Sequence, residues 1–391
     1  MLEVTKENLF KVLAVMVCVG IWLSYSINYF WVETPKPNQD IVISQGLGSG
    51  RWEVVNGGLL RDIRRIGFDN NGKRGVAVSL EGHLLSSEDG GLTWDLAGKM
   101  PLDEEGMELV NSLAITDKGL FIGTAIDESI YGAIYHLDNK GKWQIQGGNY
   151  GGLLAASNNS IMVGSNGLMV KLLPNLALET NTQNTQNTQN TQNTQNTQNT
   201  QNTQNTQNTQ STKSSKTSQD IAFQQLPLWA RINLYSVDQK GETFLIAGDY
   251  GLVCYSTDGG KGWKNISPDR TNKLPLYGAA IANEIGLVGG SGGTFWRFNP
   301  KNGVWQKITG LKRNLTIFAM YGDKEGNCVV GGGDEIGNSP FILYSSDNGL
   351  SWQYELIPQN YGRVTSISKS SNGIFVSTID GHILLRKNNS K

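Results

Sequence analysis

From residue 51 to residue 389 the chain alternates short apolar runs with turns rich in Gly, Asn and Asp. Each unit opens on an alternating run, such as "LVNSLAIT" (109–116), "LYSVDQ" (234–239), "IFAMYGD" (317–323) or "VTSISKS" (364–370). Two apolar runs around a Gly-containing turn follow, as in "GVAVSLEGHLLSS" (75–87), "FLIAGDYGLVCYS" (244–256) and "CVVGGGDEIGNSPFILYS" (328–345). Alternation predicts half-buried strands, and short unbroken apolar runs predict strands covered on both faces. Three of these phrases end in a Ser-x-Asp-x-Gly-x-x-Trp turn: Ser87, Asp89, Gly91 and Trp94; Ser256, Asp258, Gly260 and Trp263; Ser345, Asp347, Gly349 and Trp352. Four further phrases, at 120–143, 161–175, 286–305 and 374–389, lack the full turn; the first keeps Asp138 before Trp143 but moves its Gly to 141. Three strands before the turn and one after it make a four-stranded sheet. Seven such sheets around an axis predict an all-β, seven-bladed β-propeller spanning residues 51–389.

Two irregularities fit that arrangement. The last unit ends without a fourth strand, whereas "RWEVVNGG" (51–58) is a strand with no unit before it. Pairing the two closes the ring by joining the N- and C-terminal strands and removes two exposed edges. Residues 181–210 are ten consecutive Asn-Thr-Gln triplets. That tract has no apolar face to bury, so 179–219 reads as a disordered insertion in the third blade, at a rim hairpin where extra chain does least harm.

The N-terminus follows another pattern. Val12 to Val32 is an uncharged run of 21 residues, enough for a helix to cross a bilayer, with Trp22, Tyr25, Tyr29 and Trp31 crowding its C-terminal half. A cleaved signal peptide competes with this reading, but residues 1–11 mix acids with lysines and no small-residue cleavage site follows. The expectation is an uncleaved transmembrane helix at 12–32, a cytoplasmic N-terminus at 1–11 and a Pro/Gly/Ser linker at 33–50. Lys6 and Lys11 precede the span, which puts the propeller on the exported side, in a periplasm or thylakoid lumen.

Composition narrows the chemistry. Gly is abundant at 48 residues and the formal charge is only −1, so no global field draws nucleic acid. The three cysteines, Cys18, Cys254 and Cys328, have no metal or redox spacing; the latter two lie in apolar runs and read as buried thiols. His83, His136 and His382 are isolated, and His83 and His382 occupy matching positions that suit packing. No metal, cofactor or phosphate-loop motif is present, so none is expected. In the Ser-x-Asp turn, Asp accepts amide hydrogen bonds, Gly relaxes φ and Trp packs between strands. Asp89, Asp258 and Asp347 are therefore expected to be structural rather than ligands of Ca²⁺.

The Ser-x-Asp-x-Gly-x-x-Trp turn resembles the Asp-box, or BNR repeat, of sialidase-like propellers. With the N-terminal segment and hairpins such as "GLVCYSTDGGKGW", the chain most resembles the photosystem II stability/assembly-factor propellers over about residues 51–389. That resemblance implies a non-catalytic scaffold that docks protein subunits of a membrane complex. The alternative is a glycan-binding or glycan-cleaving propeller of the sialidase or xyloglucanase kind, which needs opposed carboxylates. Glu81, Asp127, Asp249, Asp334 and Asp380 lie in inter-strand loops of different blades, but a sialidase's arginine motif is missing and no catalytic residue is assigned. Of eleven arginines, Arg61, Arg64, Arg231, Arg270, Arg313 and Arg363 fall where one blade's last strand crosses to the next blade's first. These six are the candidate partner-binding residues, a local positive field on a near-neutral protein. Solvation of loops, or pairing with nearby acids, is the other use such arginines have.

Overall fold

The computed structural model describes residues 39–387 except 103–107, 127–130, 158–160, 173–220, 272, 335–338 and 358–360. The predicted N-terminal tail, membrane span and 179–219 insertion lie outside the described residues. Among the described residues no helix is long and apolar enough to cross a membrane. The described residues are all-β, broken only by short 3₁₀ turns.

After the first two strands, the described strands fall into six antiparallel sets of four and a seventh of three, each hydrogen-bonded in sequence order, and the end of the second strand completes the seventh. The first strands of the sets are Ile63–Phe68, Glu108–Thr116, Leu153–Ala156, Leu234–Lys240, Leu276–Ala282, Leu315–Gly322 and Val364–Lys369. Each contacts the first strand of the next set, and the seventh contacts the first, so they form a closed inner ring. Exposure grades outward from that ring. Second strands such as Gly119–Ile126 and Thr243–Gly248 are buried almost throughout, whereas the fourth strand Asp95–Lys99 is exposed at every residue. A strand covered on both faces needs apolar side chains on both, which is why these runs lack alternation.

The core is divided among the gaps between neighbouring sets. One cluster joins Phe68, Leu85 and Trp94 to Phe375 and Leu385; another joins Leu287 and Phe295 to Ile317, Leu343 and Trp352. Trp352 meets Phe295 of the preceding set edge-on, with ring centroids 5.0 Å apart. Leu172 pairs with Ile221, so the segment between them joins two adjacent strands of the third set.

The three Ser-x-Asp turns share one geometry. Ser87 Oγ donates to Asp89 Oδ1 (2.8 Å) and accepts the Gly91 N–H (2.8 Å), while the amides of Leu92 and Thr93 donate to Asp89 Oδ1. Trp94 Nε1–H closes the turn on the Gly91 carbonyl at 2.9 Å. The same bonds recur around Asp258 and Trp263 and around Asp347 and Trp352. Each turn is also held from outside by a donor of the preceding set. Asn372 Nδ2 reaches the Asp89 carbonyl (2.7 Å), Lys171 Nζ the Gly259 carbonyl (2.8 Å) and Arg297 Nε the Asn348 carbonyl (2.7 Å). The turns are thus clasps between neighbours as well as hairpin ends.

The predicted linker is corrected at its C-terminal end. Residues Ile41–Val42 (β1) and Ser44–Gly57 (β2) are strands. β1 runs parallel to Val304–Thr309 of the fifth set, and the start of β2 runs parallel to Gln353–Leu356 of the sixth. The end of β2 then pairs antiparallel with His382–Lys387 as the outer strand of the seventh set, closing the ring as expected. The reason is burial: Ile41 and Ile43 drop into the cluster containing Ile308 and Trp352, which Pro/Gly/Ser composition alone does not reveal. At the seam, buried Glu355 receives Arg386 Nη2 (2.8 Å) and Nε (3.0 Å) on Oε1 and Trp52 Nε1–H (2.8 Å) on Oε2. The Arg386 guanidinium lies 3.7 Å from the Tyr344 ring centroid. Gly50 makes room for the carboxylate: a Cβ there would come within 1.9 Å of Glu355 Oε1.

Candidate functional site

Every first strand carries one extra residue relative to its partner strand. Ile63 pairs with Ser79 and Arg65 with Val78, leaving Arg64 bulged out; the same step leaves Asn111, Leu154, Tyr235, Tyr277, Phe318 and Thr365 unpaired. A β-bulge bends the strand and re-aims a side chain. Each bulge is anchored by the residue before it: Ile63, Val110, Leu153, Leu234, Leu276, Ile317 and Val364 are all at most 1% exposed. All seven bulge residues line one cavity of about 350 Å³, together with Arg65, Leu109 and Arg363. The cavity is the mouth of the space inside the ring.

Its two sides differ in chemistry. Tyr235, Tyr277 and Phe318, from the fourth, fifth and sixth sets, form an aromatic arc with ring centroids 4.9 Å and 5.7 Å apart. Arg363 continues it, its guanidinium 4.6 Å from the Phe318 centroid, a cation–π distance. Arg64 and Arg65 follow from the first set. The described lining thus holds three guanidiniums and no carboxylate.

Arg65 reaches furthest in. It occupies the position after the bulge, where the other six first strands have Ser112, Ala155, Ser236, Gly278, Ala319 and Ser366. Small residues there leave room for one long side chain. Its Nη2 donates to the Leu154 carbonyl (3.2 Å) and its Nη1 to those of Arg64 (2.9 Å) and Thr365 (3.5 Å), bridging three sets. It also lines a smaller cavity of about 110 Å³ deeper in the ring and so stands at the throat between the two. Enclosure, and then the charge of Arg64, push its pKa down to about 10.

Countercharge is partial and lies behind the lining. Arg64 Nε is 3.9 Å from Asp62 Oδ1, beyond hydrogen-bond reach, and finds no hydrogen-bond partner among the described residues. Burial raises the Asp62 pKa, against the pull of Arg64 and Arg363. Burial, and then Arg64, lower the Arg363 pKa, opposed by Asp62 and Asp334.

Of the six predicted arginines, the fold brings Arg64 and Arg363 into this cavity. Arg64 lies within its strand, at the bulge, rather than in a crossing. Arg61, Arg231, Arg270 and Arg313 are exposed on crossings and do not line it. The crossings lie against the loops between second and third strands: a Cβ on Gly381, whose φ is +92°, would come within 1.7 Å of the Leu60 carbonyl oxygen. Those loops carry Glu81, Asp249 and Asp380; Asp334 ends a second strand, and Asp127 lies outside the described residues. Cys254 and Cys328 are buried, and burial raises both thiol pKa values. His382 packs 4.1 Å from Tyr361, ring to ring, beside Asp380; His136 stacks on Phe121.

The ring of sheets is a β-propeller, and comparison with solved structures gives the same fold. No protein-family model and no curated protein matches the chain. The structure of YCF48 bound to a D1 peptide is similar at 15% identity and TM-score 0.57, over 90% of this chain and 99% of that one. YCF48 from Cyanidioschyzon merolae is 13% identical with TM-score 0.58, over 86% and 98%. The WD40 β-propeller domain of Doa1 is 12% identical with TM-score 0.53, over 87% and 98%. At these identities the likeness concerns the fold.

Proposed function

We propose that this chain is a seven-bladed, Asp-box β-propeller that binds protein without catalysis, held to a membrane by residues 12–32 and serving as an assembly scaffold for a membrane protein complex on the exported side. The observation that carries the reading is the channel mouth, where the bulged Arg64, with Arg65 after it and Arg363 just before the seventh first strand, lines one opening beside an aromatic arc. Arginine and aromatic side chains together are the residues that dominate protein interfaces. Support also comes from the similar YCF48 structure, in which that protein is bound to a D1 peptide, and from the resemblance to photosystem II assembly-factor propellers. The exposed crossing arginines Arg61, Arg231, Arg270 and Arg313 form the rim of the docking face. The described lining of the mouth holds no carboxylate pair, so the glycan-cleaving alternative gains no support from it.

The test is pull-down with tagged protein from detergent-solubilised membranes, comparing wild type with the Arg61→Glu/Arg363→Glu variant after both are shown to melt at the same temperature. Charge reversal abolishes recovery of specific partners. Recovery of the same partners by both proteins sinks the arginine-face reading.

A further inference from the structure

We propose that the channel mouth is a binding pocket for a single carboxylate carried beside an aromatic or apolar group. The proposal rests on the cavity itself and not on the docking of a large partner. Three guanidiniums line a space of about 350 Å³, and Asp62 and Asp334, which offset Arg64 and Arg363, lie behind the lining rather than in it, so the mouth presents a positive face. Arg65 donates to the backbone carbonyls of Arg64, Leu154 and Thr365, and among the described residues neither Asp nor Glu pairs with it. A guanidinium has five N–H donors, so Arg65 keeps donors for a ligand. Arg64 Nε is buried without a hydrogen-bond partner among the described residues. Planar forks of this kind match a carboxylate two-pronged.

The opposite wall sets the second requirement. Tyr235, Tyr277 and Phe318 form a continuous arc of ring faces and edges, and Leu109 and Leu154 fill the remaining span. An acid with no apolar body leaves that wall wet; an apolar body with no acid leaves the remaining Arg65 donors unused. The volume suits a small aromatic acid or the end of one side chain, at the lower limit of ligand pockets. Six of the seven throat positions are small and Arg65 fills the centre, so the floor of the pocket is a guanidinium rather than an open channel.

The same chemistry reaches the pocket from two sources, a free aromatic acid or a peptide ending in an aromatic residue. Isothermal titration in low-chloride buffer with phenylacetate, acetate, benzylamine and a short peptide ending in Phe distinguishes them. Phenylacetate or the peptide binds saturably with one site, acetate far more weakly and benzylamine not at all; the tighter of the two binders identifies the source. Arg363→Gln weakens that binder about 10-fold, the loss of one charge-assisted hydrogen bond. Phe318→Ala weakens it several-fold, whereas Arg74→Gln, on an exposed hairpin away from the cavity, leaves it unchanged. Circular dichroism confirms that each variant is folded. Absence of binding by both aromatic acids, equal binding of acetate and phenylacetate, or indifference to both Arg363→Gln and Phe318→Ala overturns the proposal. Docking of a large partner can survive any of these outcomes, so the two readings fail separately.

Discussion

Replacing Glu355 by Ala tests how the ring is held shut. The carboxylate is 1% exposed and receives Arg386 through two nitrogens and Trp52 through its indole N–H, linking the sixth set, the seventh set and β2. Removing one partner of a buried ion pair costs about 3–5 kcal/mol, because the other charge stays buried and unanswered. The orphaned Trp52 N–H adds about 1–3 kcal/mol on its own, but it shares the same network, so the costs do not sum. The cation–π contact of Arg386 with Tyr344 survives and offsets part of the loss. The expected destabilisation is about 4 kcal/mol, a thousandfold shift in the folding equilibrium and a large share of a typical domain's stability. Urea unfolding of wild type, Glu355→Ala, Arg386→Met and the double variant measures it. The double variant should be more stable than the sum of the two losses predicts, with a coupling above about 1.5 kcal/mol. Hydrogen exchange should accelerate first in residues 44–57. A Glu355→Ala cost below about 1 kcal/mol, or no coupling with Arg386, refutes the assignment of this cluster as the seam lock.

Two further outcomes follow from local geometry. Gly50→Ala drives a Cβ into the Glu355 carboxylate and should lower stability by about 1–3 kcal/mol, whereas Gly58→Ala, with open space at its Cβ position, should show only the strain of its positive φ; chemical denaturation separates the two. Hydrogen bonds from the Thr93 hydroxyl and amide, with those from Ser87 and Leu92, hold the Asp89 pKa down to about 2, and Asp258 and Asp347 are lowered in the same way. Their folded pKa values lie below the unfolded ones, so their stabilisation is present above the unfolded carboxylate range and is lost as pH falls through the folded values, which for Asp89 means toward about 2. In acid melts Asp89→Asn should therefore flatten that part of the stability curve, and an unchanged slope would show that the turn does not titrate with folding.

Much of the strand plan was legible because it is written in periodicity. The runs at 109–116, 234–239, 317–323 and 364–370 match first strands to within one residue at their C-terminal ends, and the Ser-x-Asp turns have the hydrogen bonds their residue types allow. The pairing of 51–58 with the chain's end was legible from an unmatched strand at each terminus. β1 was not, because a two-residue strand has no period. The bulges were hidden for a different reason: Arg, Asn, Leu, Tyr, Phe and Thr all occupy them, so residue type carries no signal. What marks the site is context, a buried aliphatic residue before the bulge and a small residue after it. Aligning the seven first strands on that pattern singles out Arg65 as the exception, which reading Arg64 as part of a crossing obscured.

β2 contributes its last residues to a sheet whose other three strands end at Lys387, so Trp52 and Glu355 meet across 303 positions of sequence. During synthesis the strand that closes the ring is among the first described segments to emerge, and its antiparallel partner His382–Lys387 is the last described strand. Until then β2 is an edge strand with Leu47 and Val54 outward and no finished surface to lie on, a state open to pairing with other chains. Arrival of the His382–Lys387 strand, more than the strength of any one sheet, decides when β2 stops being vulnerable to misassembly.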